Sequence, residues 1–354
     1  MFDSNHYVPV IRWKRAEWIA LRNLTEAIRG QITPLIELVP RNFSRPRGEM
    51  FESRLLGIIT DLSSNWGRSP FFLDLSLVQP MLLNFREAHP VEALFAEAEN
   101  AGLYSIPVAG IEQTPVHRSA VGGVVRRGKR GVCLRLSRRD LGRPDLSRQL
   151  SNLTLEYDVE LDEVDIVVDY KIIDSSCPRL IDLTRMLPDV SRFRTFTLAS
   201  GAFTKDLSDF EKNRQHVLPR LDWITWRDQI RQRNLDRRPT FGDYTIQHAI
   251  YEEPPRRPNV SASIRYTSDE YWVIMRGEGL LNEDGPGYAQ YAANAQLLCE
   301  RPEFCGADFS YGDHYIYQLG NEVGPVGSPE VLLRAGINHH ISYVVQQISN
   351  LPDG

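Results

Sequence analysis

Apolar residues along this chain gather in short runs, and eight of the runs share one internal rhythm. They are PVIRW (9–13), PLIEL (34–38), FFLDL (71–75), PVAGI (107–111), VCLRL (132–136), IVVDY (166–170), FTLAS (196–200) and YTIQH (244–248). Runs of this length, rich in β-branched and aromatic residues, read as buried strands. Between most of them the apolar spacing changes to that of a helix. Trp18, Leu21, Leu24 and Ile28 make one stripe, which stops at Gly30. Leu55, Ile58, Ile59 and Leu62 make a second before Gly67, and Val91, Leu94, Phe95 and Ala98 a third before Gly102. Further helices are predicted at SAVGGVVRRGKR, weakened by its glycines, at LSRQLSNLTLEY, at RLIDLTRML, and at DLSDFEKNRQHVLPRLDWITWRDQIRQ with a break at Pro219.

Strands that alternate with helices imply βαβ units and a parallel sheet. Eight such units predict an α/β fold, a (β/α)8 TIM-barrel-like domain over residues 5–252. A doubly wound open sheet is the competing arrangement, but it needs a phosphate-binding glycine turn after the first strand, and IRWKRAEW contains no glycine.

After Ile250 the pattern changes. EEPPRRPNVS is a proline-rich, charged connection. SASIRYT and YWVIMRG predict two antiparallel strands joined by a turn at Ser268 to Glu270. Helices are predicted at YAQYAANAQLLCER and at PEVLLRAGINHHISYVVQQISNL, on either side of a glycine-rich stretch from Gly306 to Gly327. Residues 253–354 are therefore expected to form a C-terminal α+β appendage packing on the barrel.

Within the eight runs, charged residues recur at one phase. The fourth positions are Arg12, Glu37, Asp74, Gly110, Arg135, Asp169, Ala199 and Gln247, with Lys14 and Lys171 two residues beyond Arg12 and Asp169. Charges are costly to bury unpaired, so these groups are expected to face one another across the C-terminal mouth, where barrel active sites form. Two readings stay open. The charges satisfy one another as a closed ion network, or they line a pocket. In the second reading Asp169, Lys171, Glu37 and Asp74 are the catalytic candidates. Arg12, Lys14 and Arg135 bind an anionic substrate, phosphorylated or nucleotide-like, and Glu37, Asp74 and Asp169 hold a hard cation such as Mg²⁺.

Other motifs point less far. TLASGAF after the seventh run is a phosphate cradle or a plain tight turn. His339 and His340 are adjacent, so on a helix they diverge by about 100° and cannot bind one metal as an i, i+4 pair would. Trp223 and Trp226 read as a core stripe, and RRGKR (126–130) as a solvated turn.

Composition narrows the function classes. The net charge of −5 and pI near 6.0 do not favour nucleic acid or anionic membrane as partners. No stretch reaches the roughly 18 apolar residues of a membrane span, and MFDSNHYVPV lacks the regions of a signal peptide. A cytoplasmic location is expected. Cys133, Cys177, Cys299 and Cys305 fit a reducing compartment, and no second Cys or His pair accompanies the last two to bind zinc.

YVPVIRWKRAEWIALRNL, ITPLIELVPR and SPEVLLRAGINHHISYVVQQI resemble the phage-type beta-protein family, named after the beta protein of a T-even bacteriophage and found in bacterial genomes and prophages. The resemblance runs nearly end to end. It implies a phage or prophage setting and a part in phage–host conflict or defence, and it implies no activity and no site residues. Two functions remain: an enzyme acting on a small anionic ligand at the barrel mouth, or a non-catalytic protein that recognises a phage or host protein.

Overall fold

The computed structural model describes residues 2–43, 51–78, 89–173, 186–230, 235–253, 259–324 and 326–351. Eight parallel strands close into a barrel: β1 (Tyr7–Arg12), β2 (Leu35–Glu37), β3 (Phe71–Asp74), β4 (Ser105–Ala109), β5 (Val132–Ser137), β6 (Val164–Ile172), β7 (Thr195–Gly201) and, past β8 (Arg214–Pro219), β9 (Thr240–Asp243). Closure is made by β9 against β1, with Tyr7 opposite Phe241.

Alternation along the strands gives the barrel two apolar layers. Val8, Val10, Leu35, Phe72, Val108, Cys133 and Val167 form one buried cluster inside it. The intervening Ile11, Ile36, Leu73, Leu134, Ile166 and Leu198 belong to the larger cluster under the helices. At Gly242 a Cβ would stand 3.0 Å from the Val8 carbonyl oxygen and 3.1 Å from the Thr197 methyl, so glycine lets β9 approach its neighbours.

The helices Arg15–Arg22, Phe51–Asn65, Pro90–Asn100, Pro115–Gly128 and Leu146–Tyr157 follow their strands as the apolar stripes predict. Pro115–Gly128 forms in spite of its glycines. Proline opens its first turn and the Thr114 hydroxyl accepts from the His117 amide. The helix expected at RLIDLTRML falls mostly outside the described residues.

Two expectations are corrected. The eighth strand is Thr240–Asp243, and the YTIQH run expected in its place is the loop that leaves it. The segment expected to be helical before Pro219 is strand β8. Proline breaks a helix interior but is tolerated where an edge strand ends, and RQHVLP runs antiparallel beside β11 (Tyr271–Arg276), which in turn pairs with β10 (Ile264–Thr267).

β10 and β11 of this sheet are mostly buried, while β8 at its edge is largely exposed. Ile264, Tyr266, Val273 and Met275 pack with Tyr291, Leu298 and Ile316 in the appendage core, while Trp272 and Ile274 join the core of the barrel. The glycine-rich stretch contains a helix missed in the sequence, Tyr311–Gly320, capped by Ser310. The last helix, Pro329–Ser349, lies along Arg15–Arg22, and there the Asn338 amide donates to the Ala20 carbonyl at 3.0 Å. Among the described residues no helix is long and apolar enough to cross a membrane. Cys133, Cys299 and Cys305 are free thiols, and Cys177 lies outside the described residues.

Candidate functional site

The inward phase that carries Val10, Leu35, Phe72, Cys133 and Val167 carries a charge two residues later in each strand. Arg12, Glu37, Asp74, Arg135 and Asp169 are thereby delivered to one level at the mouth, all of them buried or nearly so. Arg135 stands at the centre. Its Nη1 contacts Asp74 Oδ2 and lies 2.8 Å from Glu37 Oε1, while its Nη2 lies 2.7 Å from Asp169 Oδ2 and donates to the Tyr244 hydroxyl at 2.8 Å.

Lys171 joins from the end of β6. Its ammonium is 3.1 Å from Asp169 and 3.5 Å from Glu37, and it donates to the Tyr244 hydroxyl at 2.8 Å. Tyr244 donates in turn to Asp169 at 2.6 Å. Arg12 closes the far side, 3.6 Å from Glu37 Oε2, and donates to the carbonyls of His248 and Ala249 at 2.8 Å. Three cations thus face three carboxylates. Lys14 stands apart from them, its ammonium 5.3 Å from the centre of the Tyr251 ring.

The electrostatics follow from this packing. Burial works against ionisation of Asp74 and Asp169, yet the Arg135 guanidinium holds both below the ordinary carboxylate range, with Lys171 helping at Asp169. Both are fixed anions at neutral pH. Burial and the surrounding carboxylates keep Tyr244 a neutral phenol. The groups whose protonation is drawn toward neutrality lie beside the network. Burial lowers Lys14 and raises Glu17, whose carboxylate accepts from Gln247 at 3.1 Å.

The three carboxylates expected to hold Mg²⁺ do converge, but what they surround is the Arg135 guanidinium. Among the described residues no group of three or more His, Cys, Asp and Glu side chains is arranged for a metal ion. The TLASGAF turn spends its Ala202 amide on Asp222 at 3.2 Å. His339 and His340 diverge, to Asp313 and Asp243, each at 2.8 Å. Trp223 and Trp226 are buried beside Phe241.

Tyr244 is the member of the network that sequence reasoning missed. It opens the YTIQH run expected as the eighth strand, of which the fourth position, Gln247, is the one assigned to the mouth. The signal was in TFGD just before it: a strand ending at Asp243 puts Tyr244 on the mouth loop.

Comparison with protein-family models matches residues 7–346 to the family described as Beta protein. The chain belongs to the beta protein family. No curated protein matches this beta-family chain. Among solved structures it is similar to the YdjI aldolase from Escherichia coli K12, with a TM-score of 0.40 and 7% identity over 97% of this chain and 91% of that one. At that distance nothing about the chemistry of the beta-family mouth follows from the aldolase.

Proposed function

We propose that this protein is a barrel enzyme that takes a small anionic substrate at the C-terminal mouth, with Lys171 as its anchor. The observation that carries this reading is Lys171 itself. Its side chain is 41% exposed, whereas the carboxylates it contacts are buried, and its backbone sits at φ 58°, a left-handed conformation that lysine rarely adopts. Strain of this kind costs about 1 kcal/mol or more and persists where the surroundings over-determine it, often at functional sites. Here the Asp169 carboxylate accepts from the Lys171 amide at 2.8 Å and fixes that turn.

In this reading Glu37, Asp74 and Asp169 are held as anions by Arg135 and form a rigid floor. They orient the ammonium toward the opening, and Tyr244 and Arg12 lock the floor to the loop of residues 244–249. Preorganised charge in a poorly hydrated site acts on a substrate without reorganisation cost. Lys14 and Glu17, with protonation drawn toward neutrality, are the candidates for proton transfer. The anionic substrate supplies the charge that would make an additional cation at the mouth favourable.

A second reading, a non-catalytic protein that recognises a phage or host component, draws support from the closure of the network, in which every charge is already paired. Thermal shift against phosphate, sugar phosphates and nucleotides separates the two. Stabilisation that is lost in Lys171→Gln supports a ligand-taking mouth, and no stabilisation by any of these anions rejects it. Lys171→Gly sharpens the result. Strain relief of about 1 kcal/mol offsets the lost ion pairs, so stability should stay within about 1 kcal/mol while ligand stabilisation disappears.

A further inference from the structure

Two arginines lie side by side on the barrel-facing side of the three-stranded sheet, and neither has a carboxylate within ion-pair distance among the described residues. In the antiparallel register Arg265 stands opposite Ile274, and Arg276 lies two residues beyond Ile274 on the same strand, so Arg265, Ile274 and Arg276 share one face. Ile274 packs into the barrel core. The guanidiniums are held by neutral groups. Arg265 donates to the Ile246 carbonyl at 2.9 Å and lies 4.7 Å from the centre of the Phe203 ring. Arg276 donates to the Leu207 carbonyl at 3.1 Å and the Gly277 carbonyl at 3.2 Å, and its Nη1 is 3.5 Å from Ser263 Oγ.

Of the nearby acids, Asp206 lines the same cavity and attracts Arg276 without reaching ion-pair distance, Glu278 accepts from Asn213 at 2.7 Å, and Glu252 pairs with Lys205 at 2.7 Å. Burial and the charge of Arg276 push Arg265 down to about 10, as unbalanced positive charge does. Arg135, by contrast, has three carboxylates around it.

Both arginines line an open cavity of about 390 Å³, with Lys205 and Lys212 at its edge. Arg265 is shared with an adjoining cavity of about 160 Å³ whose walls include the apolar Ile246, Val260, Leu332 and Leu333 together with Ser261 and Ser263. Tyr291 also lines that second cavity. It is fully buried and its hydroxyl has no hydrogen-bond partner among the described residues, an omission that costs about 1–3 kcal/mol unless something fills it.

We infer that the seam between the β7 loop and the sheet is a binding site for a phosphorylated small molecule, with its phosphate on Arg265 and Arg276 and an apolar body in the adjoining cavity. Guanidiniums are suited to phosphate because their planar fork matches it in two bonds at once. The combined volume is that of a small-ligand pocket. The site lies behind the loop of residues 244–249, whose other side meets the mouth network through Tyr244 and Arg12. It does not depend on the function proposed for the mouth.

The test is thermal shift of the full chain with inorganic phosphate, phenyl phosphate and phenol. Phenyl phosphate should raise the melting temperature most, phosphate less, and phenol not at all. Arg276→Gln should remove both shifts, and Lys171→Gln should leave them intact. Because Arg276→Gln also removes backbone contacts, Ser263→Asp provides a test of opposite sign. A carboxylate there meets the unpaired guanidinium of Arg276, so it should raise the melting temperature and abolish the phosphate response. No shift with either anion would overturn the site, as would a lower melting temperature for Ser263→Asp. Equal shifts from phosphate and phenyl phosphate would remove the apolar body from the ligand. Loss of the shift in Lys171→Gln would move the anion to the mouth.

Discussion

The Arg135 guanidinium is the point on which the mouth depends, because each of its contacts is a buried charge or a phenol. Replacing it by methionine keeps volume and leaves Glu37, Asp74 and Asp169 facing one another with no central cation. Removing one partner of a buried ion network costs about 3–5 kcal/mol, and urea denaturation of Arg135→Met should show a loss of that size. Acid should act in the same direction. Asp74 and Asp169 titrate lower in the folded chain than in the unfolded one, so their contribution is complete above about pH 4 and is lost as pH falls below it.

Asp222 titrates with the opposite sign. It is buried near Asp243, and burial together with that second carboxylate pushes it up to about 7. The unfolded chain releases this proton near pH 4 and the folded chain keeps it until about pH 7, so rising pH across that window favours unfolding at this residue. Asp222→Asn should therefore gain stability relative to the parent between pH 4 and 7, as measured by denaturant midpoints at a series of pH values.

At the scale of elements, the helix Pro329–Ser349 joins the two parts of the molecule through its adjacent histidines. His339 Nδ1 meets Asp313 and its Nε2 meets the Thr267 carbonyl, each at 2.8 Å. Asp313 also receives the Tyr266 and Ser310 hydroxyls, so one carboxylate gathers three side chains around the His339 ring. His340 bonds Asp243 through Nε2 and the Thr267 hydroxyl through Nδ1. A hydroxyl can donate, and burial lowers the affinity of His340 for a second proton, so this ring is neutral. Long-range 15N correlation spectra at neutral pH should show one protonated nitrogen for His340. Two protonated nitrogens on His340 would refute the assignment.

The elements also mark what the sequence could reveal. The buried parallel strands were legible as apolar runs, and the charges at their fourth positions were legible as a shared phase, because period-two alternation is a local property. β8 was not. Arg214 to Pro219 reads RQHVLP, three polar residues followed by three apolar ones with no period of two, and only β11, far along the chain, makes it a strand. Thr240 to Asp243 is short and contains a glycine, so the more β-branched YTIQH drew the strand and concealed Tyr244. The pairing of Arg135 with three carboxylates was likewise out of reach, since the pattern of residues shows which ones share a face but not which of them occupies the centre.

For the whole molecule, the sheet that carries the appendage takes β8 from the barrel half of the chain, and the last helix packs on the first. A chain ending at residue 252 lacks β10, β11 and Trp272, and so loses the partners of β8 and the apolar cover on the Arg15–Arg22 helix. It should be recovered as aggregate or with molten-globule signatures, such as dye binding without near-UV dichroism. The full chain should melt in one calorimetric transition, with van't Hoff and calorimetric enthalpies agreeing. Two resolved transitions would show that the halves are stable apart.

The contact between the first helix and the last also sets a timetable for synthesis. Leu21 and its neighbours emerge early from the ribosome, but their partners on the Pro329–Ser349 helix are made more than three hundred residues later. At about 5–20 residues per second, that apolar face waits roughly 15 to 60 seconds before its cover exists. For that interval the nascent chain carries an unfinished barrel, and its yield in a cell should depend on chaperone supply more than the stability of the finished protein would indicate.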